Sequence, residues 1–341
     1  MEAICLNKPG DFERIRVDEP SAPSQGEALV RVHRVGVCGT DLHAYMGNQP
    51  FFSYPRIIGH ELSVEVLSVG EGVNNVTEGD QCAVMPYLHC GKCIACRRGR
   101  TNCCCNLQVM GVHVDGGLRA RLSLPAAHLF PSESLNNDQL TLVETLGIGA
   151  NAVERAQPAQ GENLLVIGAG PIGLSVIQFA KIAGARVMVL DLNEQRLAFC
   201  RDTIGVADTV LGGEGSIERV EALTDGELPT IVIDATGNPK SMEAAFSFVA
   251  HSGKLVFVGI VTADISFSDT LFHAREMTLL GSRNATAPTF ERIIDLIEKG
   301  ELDTSPWITH RASFADAISI FPSYTKPETG VIKAIIEMGN A

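Results

Sequence analysis

Three groups of residues have the types and spacing to do chemistry. The first is Cys90, Cys93, Cys96 and Cys104, which read C-x2-C-x2-C-x7-C. Four thiolates this close on one stretch suit a closed tetrahedral zinc site of the structural kind. Lys92, Arg97, Arg98 and Arg100 surround the cluster and offset its negative charge. Cys103 and Cys105 flank the fourth position and leave its assignment open. Reduced, unligated cysteines are the alternative, but three of them at two-residue spacing have no packing rationale. Cys5, Cys82 and Cys200 lie in apolar contexts and read as core. The stretch Met1–Pro20 lacks the basic start and apolar run of a secretory signal, so clustered cysteines point to metal rather than disulfides.

The second group is Cys38-Gly39-Thr40-Asp41-Leu42-His43 followed by Gly59-His60-Glu61. Cys38, His60 and Glu61 offer sulfur, nitrogen and oxygen, and three protein ligands leave a metal position for water or substrate, as in a catalytic zinc site. Taken singly, each is an ordinary residue. Glu144 stands apart with three readings: a further ligand, a partner of metal-bound water, or an acid starting the segment from Ile148.

The third group, Gly168-Ala169-Gly170-Pro171-Ile172-Gly173, is GxGxxG. It follows the apolar run Leu164–Ile167 and opens a helix, the context in which this motif holds a dinucleotide pyrophosphate against free backbone N–H groups. Asp191 ends the next strand at the distance where a carboxylate accepts hydrogen bonds from the adenosine ribose and repels a 2′-phosphate. No arginine immediately follows it, which favours NAD over NADP. An aspartate that only caps the helix from Asn193 is the weaker alternative.

The elements that must position these groups change character along the chain. Residues 1–130 carry short β-type runs such as Ala28–Val32, Ser63–Val69 and Gln81–Met85, broken by Gly, Pro and Asp. From Ile148 strand-like runs alternate with helical patterns. Arg186–Leu190, Thr230–Ala235, Lys254–Gly259 and Met277–Gly281 read as strands, with Lys240–Ala250 as a helix. That alternation implies a parallel sheet wound on both faces. Helices over Thr289–Lys299 and Phe314–Ile320 and a strand over Gly330–Glu337 follow. The expected organisation is a β-rich domain from residues 1–147 and 286–341, with a doubly wound domain over 148–285 inserted in it.

With these motifs in this order, the whole chain resembles the zinc-containing medium-chain dehydrogenase/reductase family. GVCGTDLH, GHE, the four-cysteine lobe, VIGAGPIG and DATG carry the resemblance. It implies an α/β protein, a GroES-like catalytic domain plus a Rossmann domain, with the active site between them. It implies a catalytic zinc on Cys38, His60 and Glu61, with Glu144 a ligand or near-ligand. It also implies a structural zinc on the four cysteines, a proton relay through Thr40 and His43, and Lys333 near the cofactor pyrophosphate. The segments GNQPFFSYPRIIGHE, RTNCC and FSDTLFHAREMTLLGSRNAT resemble the polyol and sugar-acid branch, and within it the bacterial L-galactonate 5-dehydrogenase-like group. Two departures stand out. Glu144-Thr145 replaces the usual Glu-Pro, and Leu118-Arg119-Ala120-Arg121 replaces a stretch that usually carries Glu or Tyr.

The resemblance implies NAD-linked oxidation of a secondary alcohol, with one catalytic and one structural zinc per chain. The residues by themselves point only to a polar alcohol; a sugar-acid carboxylate would need a cation, and Arg56 or Arg283 could pair with it through two parallel hydrogen bonds. For Arg56 a surface ion pair is an equal alternative, and for Arg283 a cofactor contact. A substrate without the carboxylate, as in sorbitol- or threonine-type enzymes, is the rival. The formal net charge of -13 over 341 residues argues against nucleic acid and anionic lipid as partners. The apolar stretch Leu164–Ala183 is broken by Gly168, Gly170, Pro171 and Gly173 and does not read as a membrane span. A cytoplasmic homo-oligomer, dimer or tetramer, acting on a small molecule is expected.

Overall fold

Glu27–Val37 shows how the β-rich part is built. Ala28, Val30 and Val32 are buried in alternation, and then Val35, Gly36 and Val37 are buried in succession. A strand with one solvated face thus becomes enclosed as it approaches Cys38. A computed structural model, which describes residues 1–339, places this strand at the centre of a seven-stranded sheet. Glu61–Val69 pairs with it antiparallel on one side, with Gly36 opposite Glu61. Lys333–Glu337 pairs with it on the other, with Ala334 opposite Val37. Register therefore gathers Cys38, His60, Glu61 and Lys333 at one end of three adjacent strands. A one-residue slip in register would turn these side chains to the other face, and the buried valines on both sides of the pairing forbid it.

The chain divides into two compact units, Met1–Thr145 with Thr286–Ala341, and Leu146–Ala285. The second unit is a six-stranded parallel sheet of β1 (Asn163–Ile167), β2 (Arg186–Asp191), β3 (Asp208–Leu211), β4 (Ile231–Asp234), β5 (Lys254–Phe257) and β6 (Thr278–Gly281). Their order in the sheet is β3-β2-β1-β4-β5-β6, and every neighbouring pair is parallel. This is the Rossmann order, in which ligands bind beyond the carboxyl ends of the strands where the winding reverses.

Several elements differ from expectation. The helix expected from Ile148 starts at Asn137 and runs to Ala156. Its start is fixed by a reciprocal capping box, in which the Asn136 and Gln139 side chains each accept the other's backbone N–H at 3.0 Å. Glu144 and Thr145 therefore lie inside the helix, and Glu144 does not initiate it. Lys240–Ala250 is a shorter helix, Pro239–Ala245, followed by a 3₁₀ turn over Phe246–Phe248. Strand β3 was missed because it is a four-residue edge strand with half its side chains exposed or nearly so. Among the described residues no helix is long and apolar enough to cross a membrane.

Candidate active site and metal centres

Cys38 caps the Gly39–Met46 helix at the end of the central strand. The Asp41 carboxylate accepts the Cys38 N–H at 2.9 Å and so locks the turn that presents the thiol. The ligand atoms of Cys38, His60 and Glu61 lie within 4.8 Å of one another. His60, Glu61, Asp41, Glu144 and Lys333 are all buried around them. Three carboxyl groups and a half-buried thiol thus face one ammonium and one imidazole in a region with little access to water. Such an excess of negative charge is costly unless a cation balances it.

Proton affinities record this imbalance. Burial pushes the Glu144 carboxyl up to about 7, assisted by the Glu61 carboxylate. Burial also raises Asp41, against the pull of His60. Burial alone would lower His60, but Asp41 and the Cys38 thiol outweigh it and raise the imidazole well above its ordinary value. Burial likewise opposes the Glu61 carboxylate, yet Lys333 holds it below its usual range. His60 Nδ1 and Asp41 Oδ1 lie 3.6 Å apart, and neither buried atom has a hydrogen-bond partner. A carboxylate behind a histidine is the arrangement that orients an imidazole for metal, so this donor set fits a zinc ion.

The structure brings Cys38, His60 and Glu61 together and sets Glu144 behind them, where the Tyr87 hydroxyl donates to Glu144 Oε1. Lys333 lies against Glu61. It is 2% exposed, and its ammonium donates to both Glu61 oxygens at 2.7 and 2.8 Å. A lysine this buried persists because Glu61 neutralises it, which leaves its charge directed at the metal centre. Thr40 and His43 lie on the helix that Cys38 opens; His43 is exposed, with Nδ1 2.9 Å from Asn48 Oδ1. Arg56 donates to Asp115 at 3.2 Å and to Ser53 at 3.0 Å, so its guanidinium already has a carboxylate partner. Arg283 is exposed just after β6, where its carbonyl accepts from Asn151 at 3.2 Å.

The four-cysteine lobe is assembled by backbone as much as by side chains. Cys93 caps the short Ile94–Arg97 helix and accepts the Cys96 N–H at 3.5 Å. Cys104 accepts from the backbone N–H groups of Cys90 at 3.3 Å and Asn106 at 3.4 Å. The Cys93–Cys96 and Cys90–Cys104 sulfur pairs are each 3.5 Å apart. That is close to the roughly 3.8 Å edge of a tetrahedron with metal–sulfur bonds of about 2.3 Å. N–H donation from Cys96 and Cys105 lowers the Cys93 thiol to about 5, while burial and the Cys93 sulfur push Cys96 up to about 12, so Cys93 offers a thiolate and a metal would displace the proton of Cys96. Cys103 and Cys105 are exposed and outside the four-sulfur group, whereas Cys5, Cys82 and Cys200 are buried.

In the second unit Gly168 has φ +96°, and a Cβ on Gly173 would lie 1.8 Å from the Gly168 carbonyl oxygen. No other residue permits this packing of turn against helix. Gly170 caps the Pro171–Ile182 helix, with Pro171 in its first turn and Ile172 after it. Asp191 accepts the Ala169 N–H at 2.6 Å and the Asn193 N–H at 2.8 Å, tying the end of β2 to the glycine turn. Arg196 was missed by reading only the residues next to Asp191. The helix capped by Asn193 returns it to within 4.0 Å of the Asp191 carboxylate.

A GroES-like β-rich unit with an S/N/O donor set and a four-thiol lobe, joined to a Rossmann unit, defines a zinc-type dehydrogenase. Residues 24–134 match the alcohol dehydrogenase GroES-like domain, and residues 171–299 match the zinc-binding dehydrogenase domain. The chain belongs to the zinc-type alcohol dehydrogenase family. It is 40% identical to L-galactonate-5-dehydrogenase of Escherichia coli K12 over 92% of each chain. It is 33% identical to L-threonine 3-dehydrogenase of Pyrococcus horikoshii over 91% of each. Among solved structures, the alcohol dehydrogenase rspB of E. coli CFT073, complexed with NADH, superposes with a TM-score of 0.92 at 30% identity over 99% of both chains.

Proposed function

We propose that this enzyme oxidises a secondary alcohol of a hexonate-class sugar acid, reversibly and with NAD. The observation that carries this reading is the Cys38, His60 and Glu61 cluster, half-buried at Cys38 and buried at the other two, with its excess of negative charge. Similarity to an L-galactonate-5-dehydrogenase supports the sugar acid, and Asp191 together with the NADH complex of a relative supports NAD. When bound, zinc supplies a Lewis acid that acidifies the substrate hydroxyl, and NAD supplies the hydride acceptor.

Cys38, His60 and Glu61 would hold the metal, with the Asp41 carboxylate 3.6 Å from His60 Nδ1 behind them. Glu144, held through Oε1 by Tyr87, keeps its other oxygen for a metal-bound water or for the metal. Thr40 Oγ1 would take the proton of the substrate hydroxyl, because a hydroxyl accepts and donates together. His43, exposed on the same helix, would hand it to solvent. The glycine turn and the Pro171–Ile182 helix would bind the pyrophosphate, and Asp191 the adenosine ribose. Cys90, Cys93, Cys96 and Cys104 would hold the second, structural zinc.

Similarity to threonine dehydrogenases and the engagement of Arg56 with Asp115 favour a second reading, a substrate without the aldonate carboxylate. Arg283→Ala and Arg56→Ala separate the two. On an aldonate, losing a charged hydrogen-bond partner of about 1.5–3 kcal/mol lowers kcat/KM by roughly 10- to 150-fold, with a much smaller fall on a neutral polyol. Equal losses on both substrate types, or none, remove the carboxylate from the assignment and leave the polyol or amino-alcohol reading.

A further inference from the structure

Thr145, which replaces the usual proline after Glu144, has no role in the chemistry above. Its side chain is 1% exposed. Thr145 Oγ1 donates to Glu61 Oε1 at 2.7 Å and accepts from Lys333 Nζ at 3.0 Å. With the contacts of Lys333 to both Glu61 oxygens, the three groups close a triangle. Its proton arrangement is unique. An ammonium only donates, so the hydroxyl must accept from Lys333, and its single proton must go to the carboxylate. A Cβ on Gly36 would lie 2.1 Å from Oε2, so only glycine lets the neighbouring strand pass this close, and Oε2, which among the described residues accepts from Lys333 alone, keeps a lone pair for a metal.

The two partners of Glu61 differ in stiffness. Lys333 carries a compact charge on a flexible four-carbon stem that can follow a rotating carboxylate. Thr145 is β-branched, with a restricted χ1, and sits within the 20-residue Asn137–Ala156 helix. The hydroxyl is therefore the stationary reference in the triangle. A proline there would supply neither the hydroxyl nor a backbone N–H. We propose that Thr145 is a positioning residue for the Cys38, His60 and Glu61 centre, fixing the orientation in which Glu61 meets the metal. The inference rests on reading that cluster as the catalytic zinc site.

The test uses the full-length enzyme with zinc, or with cobalt placed at the non-cysteine-lobe site, in the unmutated protein, Thr145→Val and Thr145→Ser. Chelator competition gives the zinc dissociation constant of each site, and the cobalt absorption bands report coordination. Thr145→Val is expected to weaken zinc at the Cys38 centre by about 10- to 100-fold, the usual effect of removing a partner of a ligand. It should also shift the cobalt bands and leave the four-cysteine site unchanged. Thr145→Ser should restore affinity and spectrum to within a few-fold of the unmutated protein. Unchanged affinity and bands in Thr145→Val overturn the inference, even if kcat falls. So does a Thr145→Ser variant as impaired as Thr145→Val. If Thr145→Val does not fold, Thr145→Ala is read against Thr145→Ser by the same criteria. If Cys38→Ala holds as much zinc as the unmutated protein, the catalytic-site reading itself fails. If it loses one zinc while Thr145→Val is indifferent, only the role of Thr145 fails.

Discussion

Lys333→Met isolates the electrostatics of the metal centre. Lys333 and Glu61 are 2% and 0% exposed and 2.7 Å apart. Methionine keeps most of the stem's volume and removes the charge, leaving the Glu61 carboxylate buried with only the Thr145 hydroxyl as a neutral partner. Breaking one side of a buried pair costs about 3–5 kcal/mol. With a urea dependence of about 2–3 kcal/mol per molar, the unfolding midpoint of metal-free protein should fall by roughly 1–2.5 M. The single tryptophan, Trp307, gives a selective probe, since it is 0% exposed and belongs to the unit that holds the site. Its fluorescence follows unfolding of that unit. With saturating zinc the deficit should shrink, because a divalent cation beside Glu61 replaces the lost ammonium. Glu61→Gln combined with Lys333→Met should recover most of the deficit, since both charges are then absent. A deficit of the same size with and without zinc would refute the placement of Glu61 at the metal.

Three further outcomes follow from the described contacts. Asp191→Ala should lower kcat/KM with NAD by about 10- to 150-fold through loss of charged hydrogen bonds. The same change should raise activity with NADP, because Arg196, now without its carboxylate neighbour, can meet a 2′-phosphate; Asp191→Ala with Arg196→Ala should abolish that gain in steady-state kinetics. Cys93→Ser should remove one zinc by elemental analysis and lower the thermal midpoint, since structural zinc contributes to folding; an unchanged zinc count would contradict the lobe assignment. Arg311 holds the Asp138 carboxyl below its usual range through a side-chain hydrogen bond, and the pair is partly exposed. Because that carboxyl is lowered in the folded state, its contribution is present above about pH 4 and lost as pH falls through the folded value. Arg311→Met should therefore destabilise by about 0.5–1 kcal/mol at pH 7 and by progressively less in acid, measured by urea unfolding.

What the sequence made legible is what neighbouring residues determine. The GxGxxG turn, the Asp at the end of β2 and the cysteine spacing are local patterns whose geometry the turn and helix chemistry impose. The Asn136–Gln139 capping box was equally local and would have placed the helix start correctly, ahead of Ile148. Arg196 was also within reach, five residues past Asp191 on a helix capped by Asn193. The partners of the metal centre were not. Lys333 meets Glu61 across 272 residues, Thr145 meets it across 84, and Tyr87 meets Glu144 across 57. Strand register brings Lys333 to Glu61, and the seating of the Asn137–Ala156 helix brings Thr145 and Glu144 to their partners. The one sequence sign was a lysine opening an otherwise apolar strand, Lys333-Ala334-Ile335-Ile336, where a charge is buried only with a partner.

The zinc- and NAD-dependent oxidation of a polyhydroxylated alcohol is tested most directly by one rate measurement. Reduction of NAD is followed with L-galactonate, other hexonates, sorbitol and L-threonine, for the enzyme as purified, after chelation, and after return of zinc, alongside Cys38→Ala. The expected result is turnover on a hexonate that is lost on chelation, regained with zinc, much weaker with NADP, and absent in Cys38→Ala. Turnover that survives both chelation and Cys38→Ala, or none on any of these alcohols in the zinc-loaded protein, would contradict it.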